Sequence, residues 1–527
     1  MPRIFIADAL SPRCQERLSK ETDFEIDARP GLSRSELLKA VQRAEGLVVR
    51  SATKVDAELL AAAPLLKVVG RAGEGVDNID VETATQRGVV VMNTPGGNTI
   101  SAAEHTFCLI LALARHLPEA CLSMREGRWE RSRFVGTELY GKVLGVVGLG
   151  KIGREVAARA QPFGMKVIGH DPFLPEDQAE RQQIELLELD ALLARVDFLT
   201  VHTPLTTSTK HLIGRRELAL TRPGVRLINC ARGGLYDEEA VASAIQDGHV
   251  AGAAFDVFES EPPEDSPLPA LPQVICTPHL GASTQEAQDK VAVRIAEQMV
   301  QFFRTGNADH ALNVDSVDPQ LRPRLAPYQS LCERLGRLHA QLLEAPLREI
   351  QVEFLGVVRD LPMRPLTAAL LKGYLEGVLS EPVNHVNAWV SAERVGISVT
   401  EVRSGEHADF SNLITVTFRT ADGERSASGT LFGRNLPRIV RLDDYHVEII
   451  PEGEIFLFAN DDRPGMIGKI GTLLGDAGIN IAHMSLGRDR SGGKALGALN
   501  TDSRVPDDVT VEVEALPGIR WTRRAGI

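Results

Sequence analysis

A chain of 527 residues holds roughly three to four domains of ordinary size, and 43% hydrophobic with 24% charged residues is the make-up of a folded protein, which excludes disorder or a fibrous repeat as its main state. With a net charge of −13 and only 5% aromatic residues it offers neither a basic phosphate-tracking surface nor a base-stacking platform. No nucleic-acid partner is therefore expected, and an anionic ligand has to be held by a local group of arginines or amides.

In the first hundred residues, short β-rich apolar runs (4–7, 47–49, 66–70, 89–92) alternate with helix-like segments such as 35–44, the pattern of a parallel α/β lobe. Asn98 is placed to cap a helix running from Thr99 to about His116. A second α/β unit opens at Gly141, and three of its strand-like runs end near Arg232, Phe258 and His279. Ser283-Thr284-Gln285-Glu286 reads as a capping box for a long helix that ends by Gly306 and can return the chain to the first lobe. Beyond Leu312 the prolines at 319, 323, 327 and 346 and the β-rich run 413–419 mark a further domain. The last stretch alternates strand (455–459), helix (464–477), strands (479–486, 495–501), a weak helix after Pro506 and a strand near Arg520. This βαββαβ order is ferredoxin-like, with Asp462 as candidate N-cap of its first helix. Six cysteines without a CxxC pair read as reduced thiols of a cytoplasmic protein. Asp8 interrupts the first apolar stretch and the run 106–114 is too short to span a bilayer, so neither a signal peptide nor a membrane segment is expected.

Gly148-Leu149-Gly150-Lys151-Ile152-Gly153 is a GxGxxG that follows a strand and opens a helix. The first glycine permits the tight turn, the second admits a pyrophosphate, the third lets the helix pack on its strand, and the helix N-terminus offers free N–H groups. Asp171 stands about 20 residues on, where a carboxylate takes the ribose hydroxyls. It repels a 2′-phosphate, and Pro172 supplies no cation, so NAD is favoured over NADP. Arg232, Glu261 and His279 each follow an apolar strand, and the carboxyl ends of parallel strands line the ligand crevice. Together they form a set for hydride chemistry on a hydroxy acid. His279 takes the hydroxyl proton, Glu261 orients the ring and favours its charged form, and Arg232 holds a carboxylate. Arg50 and Arg71 end two strands of the first lobe and are placed to hold a substrate phosphate from the other side. No metal-ligand spacing accompanies these residues.

Val68-Val69-Gly70-Arg71-Ala72-Gly73 with Gly75 and Asp77-Asn78-Ile79-Asp80, the GxGxxG, Asn229-Cys230-Ala231-Arg232-Gly233-Gly234, Asp256-Val257-Phe258 with Glu261-Pro262, and Pro278-His279-Leu280-Gly281-Ala282-Ser283-Thr284 resemble the D-isomer-specific 2-hydroxyacid dehydrogenases. Within that family the length and plan are similar to the long branch that carries an intervening and an ACT domain. The resemblance implies an α/β fold: a doubly wound Rossmann NAD domain (99–283) and a flavodoxin-like substrate domain (1–98 with 284–312). An α+β intervening domain of the allosteric-substrate-binding type (313–452) and a ferredoxin-like ACT domain (453–527) follow. It implies Arg232, Glu261 and His279 as catalytic residues. Cofactor contacts are implied at Gly148, Gly150, Lys151, Ile152, Gly153, Asp171, Thr203, Cys230, Asp256, His279, Gly281 and Ala282. Arg131 is implied as a substrate residue that reaches a neighbouring subunit of a homo-oligomer, dimer or tetramer.

The implied reaction is NAD-dependent oxidation of 3-phosphoglycerate to 3-phosphohydroxypyruvate, the entry to serine synthesis. L-serine is the implied effector, held by Asn460, Asp462 and Asn480 where ACT domains pair edge to edge. Two alternatives are a glyoxylate or hydroxypyruvate reductase of the same family, which needs no C-terminal half, and a non-catalytic NAD-sensing protein like the corepressors of this fold, against which the intact Arg232, Glu261 and His279 speak. Glu74 and His170 depart from the family pattern. Glu74 brings a negative charge beside the cofactor or a phosphate.

Overall fold

In a computed structural model, which describes residues 1–315, 317–318, 320–405 and 409–527, the apolar runs become the strands of four sheets. The first holds β1 (Arg3–Ile6), β2 (Glu25–Ala28), β3 (Gly46–Val49), β4 (Val68–Arg71) and β5 (Val90–Met92). All its pairs are parallel, in the order β2-β1-β3-β4-β5 of the flavodoxin-like plan. Helix α1 (Thr99–Ala114) leads into the second sheet. This comprises β6 (Val143–Val147), β7 (Lys166–His170), β8 (Glu185–Leu186), β9 (Phe198–Val201), β10 (Val225–Asn229), β11 (Val250–Phe255) and β12 (Val274–Cys276). Helix α2 (Lys151–Ala160) follows β6, and the parallel order β12-β11-β10-β9-β6-β7-β8 is that of a doubly wound dinucleotide fold. Strands such as β3 and β9 are buried along their whole length, as a parallel sheet covered on both faces requires.

Helix α3 (Gln285–Thr305) lays Val291, Ala292, Ile295, Ala296 and Met299 on the first sheet among Ile4, Ile6, Val48, Val68 and Val90, so the chain does return to its first lobe. It starts one residue later than the sequence reading placed it. Thr284, not Ser283, is the N-cap and accepts the Ala287 N–H at 3.2 Å.

Helices α4 (Arg322–Leu342) and α5 (Met363–Leu375) pack on a six-stranded sheet of β13 (Leu347–Gly356), β14 (Ser398–Arg403), β15 (Asn412–Thr420), β16 (Glu424–Phe432), β17 (Leu436–Leu442) and β18 (Tyr445–Ile449). The last sheet, β19 (Glu454–Asp461), β20 (Ile481–Arg488), β21 (Lys494–Thr501) and β22 (Ile519–Gly526), carries α6 (Met466–Asp476) and α7 (Asp507–Glu514) in the expected βαββαβ order. Period-two alternation decides its packing. Ile455, Leu457 and Ala459 of β19 enter the core shared with the preceding domain, whereas Phe456 and Phe458 face α6 and α7.

One predicted cap of the last domain is corrected. Asp462 does not cap α6: the N-cap is Gly465, at φ +85°, and the Asp462 carboxylate instead accepts the Gly492 N–H at 3.0 Å. Asn98 does stand at the N-cap of α1, but its side chain makes no cap bond and its Oδ1 is buried without a partner. Among the described residues no single helix is long and apolar enough to cross a membrane.

Candidate active site

The cofactor crevice begins where β6 ends. Gly148 turns the chain at φ +89°, and its N–H donates to the His170 carbonyl at 2.8 Å. A Cβ on Gly153 would lie 2.0 Å from the Gly148 carbonyl oxygen, so only glycine lets the first turn of α2 approach the loop this closely. A Cβ on Gly150 would meet nothing within 4 Å, which leaves the pyrophosphate position open in front of the first N–H groups of α2, on Lys151 and Ile152. Asp171 follows β7. Its Oδ2 accepts the Leu149 N–H at 2.8 Å and its Oδ1 the Phe173 N–H at 2.9 Å, which leaves each oxygen a lone pair for a ribose hydroxyl. Along the crevice the Thr203 and Thr99 hydroxyls and His202 Nδ1 are buried without partners. Such orphaned polar atoms beside an open glycine loop fit a dinucleotide. The departure at His170 is absorbed locally, since its Nδ1 bonds the Leu187 carbonyl at 2.9 Å.

Glu261 and His279 meet at the carboxyl ends of β11 and β12, with His279 Nδ1 2.8 Å from Glu261 Oε2. That hydrogen bond, together with the Glu261 charge, raises the imidazole pKa above its ordinary 6.5, against burial and the Arg232 charge. With Nδ1–H committed to the carboxylate, Nε2 is the nitrogen left to exchange a proton. His279 sits at φ +54°, in the left-handed region, and its N–H is held by the carbonyls of Asp256 and Thr277. Asp256 is 1% exposed and fixes the rest of this loop: Oδ1 accepts the Leu280 N–H at 2.7 Å and Oδ2 the Gly281 N–H at 2.8 Å. Buried Cys230 lies 3.7 Å from the same carboxylate, and burial and the Asp256 charge hold it as the neutral thiol. Ala282 is half-buried just beyond the loop.

Arg232 projects from the turn after β10, where Asn229 clips the chain by accepting the Ala231 N–H and donating to the Arg232 carbonyl. Its Nε lies 3.5 Å from Asp77 of the first lobe. Arg71 reaches the same place and donates to Asn78 Oδ1 at 2.8 Å. Burial, with the Arg232 and Arg50 charges adding to it against Asp77, lowers the Arg71 pKa to about 10. Arg50 of the first lobe and Arg232 of the second thus both lie within electrostatic reach of Arg71, and among the described residues the acid ion-paired to the group is Asp77. Arg50 is held by its backbone, its N–H donating to Asp8 Oδ2 at 2.6 Å. Two glycines make the room: a Cβ on Gly73 would lie 2.6 Å from Arg71 Nη1, and one on Gly75 2.4 Å from Arg232 Nη2. Glu74 does not pair with these arginines; its Oε2 accepts the Gly96 N–H at 3.4 Å.

The remaining sequence-predicted residues lie elsewhere. Arg131, on the 3-10 turn Arg131–Phe134, is exposed, makes no hydrogen bond or ion pair among the described residues, and does not join the arginine group of its own chain. In the C-terminal domain Asn460 is buried with Oδ1 unpartnered, and exposed Asn480 donates to Asp502 at 2.8 Å. Asn78, Asn229 and His105, which hold the arginine turns and Asp256, were not singled out from the sequence.

Comparison with known proteins accounts for this plan from end to end. The family model of the D-isomer-specific 2-hydroxyacid dehydrogenase NAD-binding domain matches residues 107–281, that of the D-3-phosphoglycerate dehydrogenase intervening domain residues 324–443, and that of the ACT domain residues 454–518. The chain is 42% identical over 521 residues to a D-3-phosphoglycerate dehydrogenase of Methanocaldococcus jannaschii, covering 99% of both chains. It is 40% identical to that of Bacillus subtilis, covering 98% of both. Among solved structures, a D-lactate dehydrogenase of Aquifex aeolicus complexed with NAD and lactic acid superposes with TM-score 0.53 at 28% identity, covering 60% of this chain and 100% of that one. The two α/β lobes with their NAD crevice, the intervening domain and the ACT domain make this chain a member of the D-3-phosphoglycerate dehydrogenase family.

Proposed function

We propose that the protein oxidises 3-phospho-D-glycerate to 3-phosphohydroxypyruvate with NAD, the first step of phosphorylated serine synthesis. The observation that carries this reading is Arg232, which faces the His279–Glu261 pair of its own lobe and meets Asp77 and the Arg71 charge of the other. Bound in this cradle, NAD would supply the hydride acceptor. His279 takes the hydroxyl proton on Nε2 while Glu261 stabilises the imidazolium that forms. Arg232 holds the carboxylate, and Arg50 and Arg71 hold the phosphate. Gly148 to Gly153, Asp171, Thr203, Cys230, Asp256 and His279 to Ala282 form the cofactor cradle, and the Asp171 carboxylate favours NAD over NADP. The alternatives, a glyoxylate or hydroxypyruvate reductase and a non-catalytic NAD sensor, leave the C-terminal half or the Glu261–His279 pair without a purpose.

The domain division is read as 1–98 with 284–312, 99–283, 313–452 and 453–527. L-serine binding by Asn460, Asp462 and Asn480 is the proposed control, in a cytoplasmic homotetramer. Exposed Leu117, Leu122, Met124, Trp129 and Val135 support self-association through the segment that bears Arg131. The test is NADH oxidation with 3-phosphohydroxypyruvate, hydroxypyruvate and glyoxylate in parallel, repeated with NADPH. A marked preference for the phosphorylated ketone with NADH is expected; equal rates on all three would overturn the assignment.

A further inference from the structure

His105 sits in the middle of α1, one turn beyond Ala102, and its Nε2 lies 3.2 Å from both Asp256 Oδ1 and Thr277 Oγ1. The Thr277 hydroxyl itself donates to Asp256 Oδ1 at 2.6 Å, so its proton is spent and its oxygen is free to accept. The only arrangement that satisfies all three groups is a protonated Nε2 donating to both oxygens. His105, Cys230 and Asp256 also offer ligand atoms within 4.8 Å of one another, a metal-like spacing. The Asp256 oxygens, however, already accept from Leu280, Gly281, Thr277 and His105, which makes the cluster a hydrogen-bond hub.

We propose that His105 is a positioning residue for the proton-transfer step, acting through Asp256 to fix the His279–Gly281 loop on α1. The loop needs such a support. His279 occupies a left-handed conformation that a non-glycine residue holds only where its surroundings impose it. Asp256 supplies that constraint through one carbonyl and two carboxylate bonds to residues 279–281. A buried carboxylate keeps its place only while its own charge is compensated, and on the helix side the donor is His105. Gly281 lets the loop sit close on this carboxylate, since a Cβ there would lie 3.3 Å from Asp256 Oδ2. The inference rests on His279 being the proton-transfer residue.

The test compares His105→Leu, His105→Gln and Thr277→Val with the wild-type full-length protein and with His279→Ala, in NADH-driven reduction of 3-phosphohydroxypyruvate. Gln keeps an N–H donor where Nε2 stands. Loss of a hydrogen bond to a buried charge predicts a kcat reduction of about tenfold or more in His105→Leu, larger than any loss of NADH affinity. The pH profile separates positioning from bulk. Glu261, Asp256 and Arg232 are the charged groups facing His279, and a loosened loop weakens the Glu261 bond, so the high-pH limb moves to lower pH. His105→Gln restores both kcat and profile, and Thr277→Val, which serves if His105→Leu does not fold, reproduces part of the loss. Wild-type kcat and pH profile in both His105→Leu and Thr277→Val overturn the proposal, as does a loss that Gln fails to restore with the pH limb unmoved. If His279→Ala retains turnover, the fault lies with the His279 assignment itself.

Discussion

Gly75→Ala isolates the arginine that is read as the carboxylate anchor without touching it. Gly75 does not occupy the left-handed region, so alanine adopts its backbone without strain. The added Cβ would nevertheless lie 2.4 Å from Arg232 Nη2 and 2.9 Å from Asp77 Oδ2. Both are ends of flexible side chains, and the turn is not core, so the protein folds normally and Arg232 moves aside. A hydrogen bond between ionised groups contributes about 1.5 to 3 kcal/mol. At about 1.4 kcal/mol per factor of ten, its loss lowers kcat/KM for 3-phosphohydroxypyruvate by roughly 10- to 150-fold. NADH binding, followed by fluorescence, and the melting temperature stay close to wild type, because neither the GxGxxG loop nor either core is altered. A kcat/KM unchanged by the substitution would refute the role given to the Arg232 and Gly75 contact. A large fall in melting temperature would show that the turn is structural.

Three other predictions concern the cofactor, the proton and the regulator. Asp171→Ala weakens NAD and narrows its preference over NADP, because both the ribose acceptor and the repulsion of a 2′-phosphate are lost; KM for the two cofactors measures it, and an unchanged ratio refutes it. Glu261→Gln removes the main cause of the raised His279 pKa. Reduction needs the imidazolium and oxidation the neutral ring, so the limb governed by His279 moves to lower pH in both directions; pH profiles that stay in place refute the pairing. Asn480→Ala relieves L-serine inhibition with little change in kcat, a coupling of about 1 to 3 kcal/mol, read by inhibition curves and calorimetry. If millimolar serine neither binds nor inhibits the wild type, the ACT domain serves another ligand or assembly alone.

Much of the fold was legible because parallel α/β lobes write their strands as short apolar runs and put functional residues just after them. Arg71, Arg232 and His279 stand at strand ends in the sequence and in the structure, and Gly148 to Gly153 form the turn that their spacing announced. The supporting residues were harder to see. His105 lies inside an apolar helix, and its partner Asp256 is 151 positions away, so neither periodicity nor local spacing links them. The caps of α3 and α6 were misread for a different reason. Ser283 and Thr284 carry equivalent hydroxyls, and only the backbone decides which faces the Ala287 N–H. Asp462 has the residue type of a cap, but Gly465 takes the left-handed corner and the carboxylate serves the Gly492 turn.

The central claim, that guanidiniums from two lobes hold a substrate with a charge at each end, is tested most directly by Arg71→Met. The measurement is the ratio of kcat/KM for 3-phosphohydroxypyruvate to that for hydroxypyruvate, in the variant and in the wild type. Arg71 is half-buried beside Arg50 and Arg232, so its charge acts at short range. The ratio is expected to fall by about tenfold or more, through loss of the phosphorylated substrate alone. An equal loss on both substrates, with the ratio unchanged, would contradict the account and leave Arg71 as a structural partner of Asn78.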